Sequence, residues 1–323
     1  MKKNLRNVLV LGLGLITTIA SAQWSASSTS WVDNNDSDAR TVDTRSTVTL
    51  DMSGVHISQD FSWDDAGNTG TTTYEAYYST DLMGYGTLTM GRQDLSFGSG
   101  ALIGSNNWGN SRHTTDGMNF GMNMAGFDID AGTLDGINTG HTYVNLNGGF
   151  SGVSVNLLMV DNNDVKSSGY DFGYALMDGA LALSYSMNDD GLGSEMTEMG
   201  ASYSIFDNAS INMSMRSYEG DSGIAFTAPM SAWDLENSGD LGHGSNGQEV
   251  LSYGLTYDMG AITLSYNMHT TSSEGAEDVE ATDMRVSYQL NDNCTLGYRM
   301  LSTGVDADAD GNEDEYNTIT ISI

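Results

Sequence analysis

Residues 250–269 read VLSYGLTYDMGAITLSYNMH, and the fold follows from the pattern in this stretch. Apolar residues occupy every second position from Leu251 to Tyr257, and again from Ile262 to Met268. Small or polar residues fill the positions between them, and a short break separates the two runs. Alternation over about ten residues on each side of a tight turn predicts two antiparallel β-strands, each with one apolar and one polar face.

The same alternation recurs along almost the whole chain and predicts seventeen strands. They are Ser46–Met52, Val55–Trp63, Thr72–Leu82, Gly86–Asp94, Asp116–Met124, Phe127–Leu134, His141–Asn147, Val153–Val160, Gly169–Met177, Ala180–Asn188, Glu198–Ile205, Ala209–Tyr218, Val250–Asp258, Ala261–His269, Thr282–Leu290, Cys294–Leu301 and Tyr316–Ile323. Very short turns alternate with longer, acidic, Gly-rich loops. This layout predicts an all-β protein, a transmembrane antiparallel up-and-down β-barrel with its apolar face outward and its turns on the periplasmic side.

The alternation of turns and loops requires one strand more. Ser46–Met52 ends at a short turn, so this strand runs toward the periplasmic side. A closed barrel with both ends of the chain on that side needs a preceding strand that runs outward. Gln23–Val32 is the candidate, with Asp33–Arg40 as its loop. The expected total is therefore 18 strands, with 16 as the alternative if one weak pair is an excursion of a loop.

The first 22 residues have the features of a secretory signal peptide rather than of a folded element. Lys2, Lys3 and Arg6 precede an apolar stretch at Val8–Ile19, which is short for a membrane helix. Ala20-Ser21-Ala22 then provides the small residues of a cleavage site. We therefore expect a cleaved signal peptide at 1–22 and a single barrel domain at 23–323. An uncleaved N-terminal anchor is the alternative.

The composition is strongly acidic, with 11 Lys and Arg against 43 Asp and Glu and a net charge of −32. Without the three cations of the first 22 residues, 8 Lys and Arg face 43 acids. Such a chain repels the phosphate backbone, so nucleic acid is excluded as a partner. The single cysteine, Cys294, excludes an intramolecular disulfide and a metal cluster built from cysteines.

Charged residues mark the face that would line a pore. An Arg or Lys that faces lipid at the membrane midplane costs about 2–4 kcal/mol, so charged side chains are expected to face inward. One strand breaks the pattern, because Arg92 has the parity of the apolar Leu88 and Met90. Either Gly91 is a bulge that turns Arg92 inward, or Arg92 lies above the lipid zone. The predicted pore-lining residues are Arg45, Asp51, Asp60, Glu75, Arg92, Asp94, Arg112, Arg216, Arg285 and Arg299.

One loop has the spacing of a calcium site. Asp306, Asp308 and Asp310 alternate before Gly311, and Asp314 stands at the ninth position, as in the first part of a calcium-binding loop. The twelfth position is Asn317 instead of the bidentate Glu, which excludes a helix–loop–helix site. A weak Ca²⁺ site remains a candidate, with a solvated acidic loop as the alternative. No other cofactor is expected, and no nucleophile or phosphate-loop motif supports an enzyme.

A more specific signature begins at Gly91-Arg92-Gln93-Asp94. The run continues as LSFG to Gly98, then Leu102-Ile103-Gly104, Asn107-Trp108 and Asp116-Gly117. In this order the motifs resemble the alginate-export family of outer-membrane porins. The later stretch Ala225–Pro229 is similar to that family's aromatic-Pro loop. The resemblance implies a monomeric barrel of 18 strands that passes anionic polysaccharide or small solutes.

This chain departs from the family in charge. A passage for a polyanion needs an electropositive lumen, whereas acids outnumber bases here. Ala101 also stands where family members carry Arg before Leu-Ile-Gly. The best expectation is a channel in the outer membrane of a Gram-negative bacterium for small hydrophilic solutes, either cation-preferring or neutral, in contact with lipid and lipopolysaccharide. The alternatives are a plugged structural barrel whose acidic loops bind Ca²⁺, an alginate-like export channel and, least favoured, an outer-membrane enzyme.

Overall fold

The computed structural model describes residues 23–33, 41–105, 112, 114–134, 141–162, 165–220, 245–292, 294–304 and 315–322. These residues form eighteen strands and one 3₁₀ turn at Met177–Gly179. The strands are β1 Gln23–Asp33, β2 Thr41–Met52, β3 Val55–Trp63, β4 Thr69–Asp81, β5 Thr87–Gln93, β6 Thr115–Met124, β7 Phe127–Leu134, β8 His141–Phe150, β9 Val153–Asn162, β10 Val165–Leu176, β11 Leu181–Asp189, β12 Ser194–Phe206, β13 Ala209–Gly220, β14 Gln248–Asp258, β15 Ile262–Ser273, β16 Val279–Asn291, β17 Cys294–Ser302 and β18 Glu315–Ser322.

Every strand pairs antiparallel with the next strand in sequence, and β1 pairs with both β2 and β18. The closing ladder runs from Ser27 opposite Ser322 to Asp33 opposite Tyr316. The predicted all-β barrel of 18 strands is thus confirmed, including the weakly patterned first strand, and the alternative of 16 is wrong. Among the residues described, no helix is both long enough and apolar enough to cross a membrane.

The alternation that predicted the strands separates the two faces of the barrel wall. Across β14 and β15, Tyr253 lies opposite Met268 and Leu255 lies opposite Tyr266, all with outward parity. Tyr253 and Leu255 are 43% and 47% exposed, because no protein covers the outer face. An apolar belt of this kind is stable only against lipid, since exposure of its area to water costs roughly 25 cal/mol per Å². The opposite parity is left to small and polar side chains, which enclose the lumen.

Short turns lie at one end of the barrel, here called the turn end, and the longer connections lie at the loop end. The turns Ser53-Gly54, Ala125-Gly126 and Ser151-Gly152 have positive φ at both residues, the geometry that joins two twisted strands with two residues. The predicted turn Gly148–Gly152 was too long, because β8 continues to Phe150. The turn end is the one predicted to face the periplasm.

Several strands begin or end beyond their predicted bounds, mostly at the loop end. β12 begins at Ser194 instead of Glu198, and β15 continues to Ser273 instead of His269. In these extensions, outward positions such as Thr197 and Ser272 are polar. Outward positions are no longer apolar there, so the alternation that marks a lipid-facing strand is lost although the backbone ladder continues.

Candidate functional site

The candidate site is the lumen, which the inward-facing residues of all eighteen strands surround. It contains a cavity of about 960 Å³, here called the large cavity, that is bounded by β1–β4 and β14–β18. Six of the predicted pore-lining residues line this cavity, namely Arg45, Glu75, Asp94, Arg112, Arg285 and Arg299. These include four of the eight Lys and Arg residues that follow the first 22 positions.

Of the long connection after β5, here called the lumen loop, the structure describes residues 94–105, 112 and 114, and its segment 101–103 folds back inside the barrel. Ala101, Leu102 and Ile103 are only 1–2% exposed. They pack in one apolar cluster with side chains from the opposite wall, on β7, β8, β9, β12 and β13. These partners are Leu134, Tyr143, Leu158, Val160, Met196 and Tyr218. Burial of this loop segment narrows the lumen from the side.

Further contacts hold the lumen loop in place beside this apolar cluster, which is here called its apolar anchor. The Asn188 amide donates a hydrogen bond to Ser99 Oγ at 3.1 Å. The Phe97 ring lies 5.0 Å from the ring of Tyr143. Ala101, which stands at the position of the family's Arg, is 1% exposed in the apolar cluster. A charged side chain at this buried position would carry a large desolvation penalty.

The lumen loop is also fixed to the wall on the side from which it departs. A β-bulge between β3 and β4 inserts Tyr74, since Ser58 pairs with Glu75 and Gln59 pairs with Thr73. The Tyr74 ring lies under the Arg112 guanidinium, 3.9 Å from centroid to Cζ. The Tyr74 hydroxyl donates to the Asp94 carboxylate, which also accepts from the Ser105 hydroxyl.

Asp60 is the centre of the first charge cluster in the lumen. Arg112 Nη1 lies 3.5 Å from Asp60 Oδ1, and Arg45 Nε lies 4.0 Å from Asp60 Oδ2. Thr47 donates to the same carboxylate at 2.7 Å. Arg45 is 4% exposed and also stacks over Trp31, with 5.0 Å between Cζ and the ring centroid. Asp60 is therefore part of the wall structure and compensates two arginines.

Asp283 is the centre of the second cluster and is absent from the predicted set. It is 3% exposed and accepts from Arg285 Nη2 at 2.6 Å and from Arg299 Nε at 3.0 Å. The Arg285 side chain is 54% exposed, toward the large cavity. The sequence could have indicated this residue, because Asp283 precedes Arg285 by two residues and therefore points to the same face of the strand.

The other predicted residues occupy three further places. Arg216 forms a lumen-facing pair with Glu198, another residue missed by the sequence prediction, with Nη2 2.8 Å from Oε2. Asp51 and Glu75 flank the ring of His56, whose Nδ1 is 2.6 Å from Asp51 Oδ1 and whose Nε2 is 3.3 Å from Glu75 Oε2.

Arg92 is the exception to the predicted pore-lining set. It lies directly opposite Asp116 on β6 and Ala76 on β4, without a register shift in β5. This places it on the outer face with Met90, so the alternative in which a bulge turns it inward is wrong. Its guanidinium is held by two hydrogen bonds to Asp116, each 2.9 Å. Paired near the loop end, the charge avoids the cost of an isolated cation in lipid.

A second cavity of about 520 Å³ lies against β5–β9, on the opposite side of the lumen from the arginines. The sequence prediction did not single out its lining. We name Asp128, Asp130, Asn145, Asn147 and Asn156 the acceptor wall. Lys and Arg are absent from the described residues that line this cavity.

The described residues leave the calcium hypothesis untested and place one Ser–His pair in the lumen. Within the described ranges, no group of three His, Cys, Asp or Glu residues could hold a metal ion. The calcium candidates Asp306, Asp308, Asp310 and Asp314 lie outside the described residues. Ser252 and His269 are 2.7 Å apart between Oγ and Nδ1, but they lie on the inner face of β14 and β15 and not on the outer face expected for a lipid-directed hydrolase.

Comparison with known proteins finds one family model that matches part of the chain and solved structures of similar fold. The family model described as "Alginate export" matches residues 20–166. The crystal structure of Pseudomonas aeruginosa OpdK with vanillate has a TM-score of 0.70 at 12% identity and covers 94% of this chain and 98% of its own. P. aeruginosa OccK2 (OpdF) has a TM-score of 0.71 at 12% identity with the same coverage, and OccK2 in complex with glucuronate has 0.68 at 11%. No curated protein matches the sequence.

The two comparisons agree with the geometry of the barrel. At this identity the structural likeness establishes the fold alone, that of the closed barrel. The sequence match covers the stretch that contains the Gly91–Asp94 motif and the lumen loop. The predicted resemblance is thereby confirmed: the chain is an 18-stranded barrel with the fold of outer-membrane channels, and its residues 20–166 match the alginate-export family.

Proposed function

We propose that the protein is an outer-membrane channel through which small hydrophilic solutes diffuse. The observation that carries the proposal is that the described part of the lumen loop narrows the barrel and leaves open space beside it. Cavities of about 960 and 520 Å³ remain, and both are lined mainly by polar side chains. Cavities of this size admit solutes of up to sugar size.

The residues proposed to line the path are those that border the large cavity and the lumen-facing pairs near it. They are Arg45, Asp51, Asp60, Glu75, Asp94, Arg112, Arg216, Arg285 and Arg299. Arg92 is left out, because it lies on the outer face. The barrel is proposed to work as a monomer in contact with outer-membrane lipid and lipopolysaccharide, on the support of its apolar outer belt.

A preference for cations, or none, fits the charges of the lumen. Asp60 and Asp283 each pair with two arginines, and together with Glu75 and Asp94 these four acids equal the four arginines in number. The acceptor wall contributes two more acids without a lining cation. Rings and walls of acidic side chains lower the barrier for cations and raise it for anions.

Reversal potentials in a salt gradient across a planar bilayer test this preference. We expect a potential of the cation-selective sign or near zero. Replacement of Arg216 or Arg299 by Gln removes a lumen cation and is expected to move the potential further toward cations. Lys166→Gln is the matched control, because Lys166 is on the outer face and 79% exposed, so the same charge change lies outside the lumen. Equal effects at all three positions would show that the arginines do not line the path.

Two other functions have specific support. The family match favours export of an alginate-like polyanion, and the solved relatives were crystallised with vanillate and glucuronate, both carboxylates. The buried apolar anchor of the lumen loop favours a closed, structural barrel.

Uptake by proteoliposomes separates the three functions. A diffusive channel admits small sugars and amino acids at rates well above those of protein-free liposomes. A closed barrel admits none of these solutes, and a polyanion conduit passes oligomeric uronate faster than neutral oligosaccharides of equal length. Failure of small neutral solutes to enter would overturn the proposed function.

A further inference from the structure

The acceptor wall presents an excess of hydrogen-bond acceptors to its cavity. The Asp128 carboxylate accepts from Asn123 at 2.8 Å, and the Asp130 carboxylate accepts from Asn119 at 3.3 Å. Each of these bonds uses one lone pair of a group that can accept several. The remaining acceptor sites of both carboxylates require donors from elsewhere.

The side chain of Asn145 contains a further acceptor atom that lacks a hydrogen-bond donor within the described part of the chain. Asn145 is only 2% exposed, lines the cavity and lies on β8 directly opposite Asp130. Its Oδ1 atom has no hydrogen-bond partner among the described residues. An amide oxygen buried in this way costs on the order of 1–3 kcal/mol unless a donor reaches it. The cavity therefore lacks donors at three neighbouring side chains.

The opposite side of the lumen has the complementary chemistry. Arg45, Arg112, Arg285 and Arg299 border the large cavity between β14 and β4, and guanidinium groups only donate. The strand order places this arginine side across the lumen from β5–β9. One side of the passage therefore has four arginines and two acids in its lining, Glu75 and Asp94, whereas the other side has two acids and no cation among its described lining residues. Such a field orients a solute that itself has two unlike ends.

We propose that the acceptor wall is a subsite for an ammonium group, and that the channel favours small zwitterions whose carboxylate faces the arginine side. This inference rests on the proposed channel function and names the class of solute. A primary ammonium supplies three donors and one positive charge, which matches two carboxylates and one unpaired amide oxygen. A hydroxyl group at the same place would supply one donor and leave both negative charges uncompensated.

Three solutes of equal chain length test the proposal, namely 4-aminobutyrate, 4-hydroxybutyrate and butyrate. Their radiolabelled forms are compared for initial rates of entry into proteoliposomes that contain the full-length protein. Relative to 4-hydroxybutyrate, we expect 4-aminobutyrate to enter about tenfold faster, the effect of one charge-assisted hydrogen bond. The double variant Asp128→Asn, Asp130→Asn is expected to reduce this ratio to about one.

A matched control separates the site from total charge. The double variant Asp65→Asn, Asp278→Asn removes the same two charges from exposed positions in loop-end connections, so the ratio is expected to stay at the wild-type value. Asn145→Leu, which removes the acceptor and keeps the branched shape of the side chain, is expected to lower the ratio part of the way.

The outcomes distinguish this proposal from the channel function itself. Entry of all three solutes at equal rates leaves the channel intact and overturns the ammonium subsite. A faster rate for 4-hydroxybutyrate also overturns it, in favour of a site for hydroxyl groups. If no solute enters faster than in protein-free liposomes, the channel function fails first.

Discussion

The buried anchor of the lumen loop predicts how the width of the passage depends on a single side chain. Leu102 is 2% exposed in the apolar cluster, and its replacement by Ala removes most of its packing. Core Leu→Ala changes cost roughly 2–5 kcal/mol. Lumen water can enter the vacated space, so the low end, about 2 kcal/mol, applies to the docked loop. That value shifts the equilibrium between docked and undocked loop about thirtyfold.

Single-channel recording measures this shift directly. Leu102→Ala is expected to raise the mean conductance and the current noise of the open state, because the loop leaves the lumen more often. Leu192→Ala is the control, since Leu192 is 59% exposed in a loop-end connection. This substitution makes the same chemical change without disturbing the apolar cluster that holds the lumen loop. The reasoning is refuted if Leu102→Ala and Leu192→Ala give the wild-type conductance and noise while both barrels keep the wild-type melting temperature.

Three further outcomes follow from particular contacts. Asp283→Asn removes the charge that pairs with two arginines and is expected to move the reversal potential toward anions. The same change at exposed Asp65 is expected to leave the reversal potential unchanged, and equal shifts for both variants would contradict the pairing. The Asn68 amide donates to Asp64 at 2.6 Å and holds the pKa of that carboxyl below its usual value, so Asn68→Ala should raise it in an NMR titration; an unchanged pKa would exclude this cause. Millimolar Ca²⁺ is expected to raise the melting temperature by an amount that Asp308→Asn abolishes; no rise in the wild type argues for a solvated loop.

The fold was predictable because a lipid-facing wall imposes a strict rule on alternate residues. The alternation of apolar and polar residues is clear at Leu251–Tyr257 and weak at Gln23–Asp33. The first strand was predicted because a closed barrel with both chain ends on one side needs an even number of strands. It lost force at the loop end, where outward residues such as Thr197 are polar. Boundaries there depend on backbone pairing, which leaves no hydrophobic pattern in the sequence.

The site was predictable only in part, because periodicity gives the face of a residue but not its partner. Six predicted residues, including Arg285 and Arg299, border one cavity. Their shared partner Asp283 was missed although it has the same parity. The fold of the lumen loop onto Leu134 and Tyr143 was beyond reach, since those partners come from strands far apart in the chain. Arg92 was misplaced because its outward partner, Asp116, satisfies the charge.

The ladder between β1 and β18 has a consequence for assembly. Its seven residue pairs join Ser27–Asp33 to Tyr316–Ser322, almost the full length of the chain apart. Contacts of such high sequence separation form slowly, because nearly every other strand must be in place first. Until then two unpaired edges are exposed, and each is a template for a strand of another molecule. Closure within one molecule therefore competes with pairing between molecules, and loss of the last few residues would leave an open sheet without a lumen.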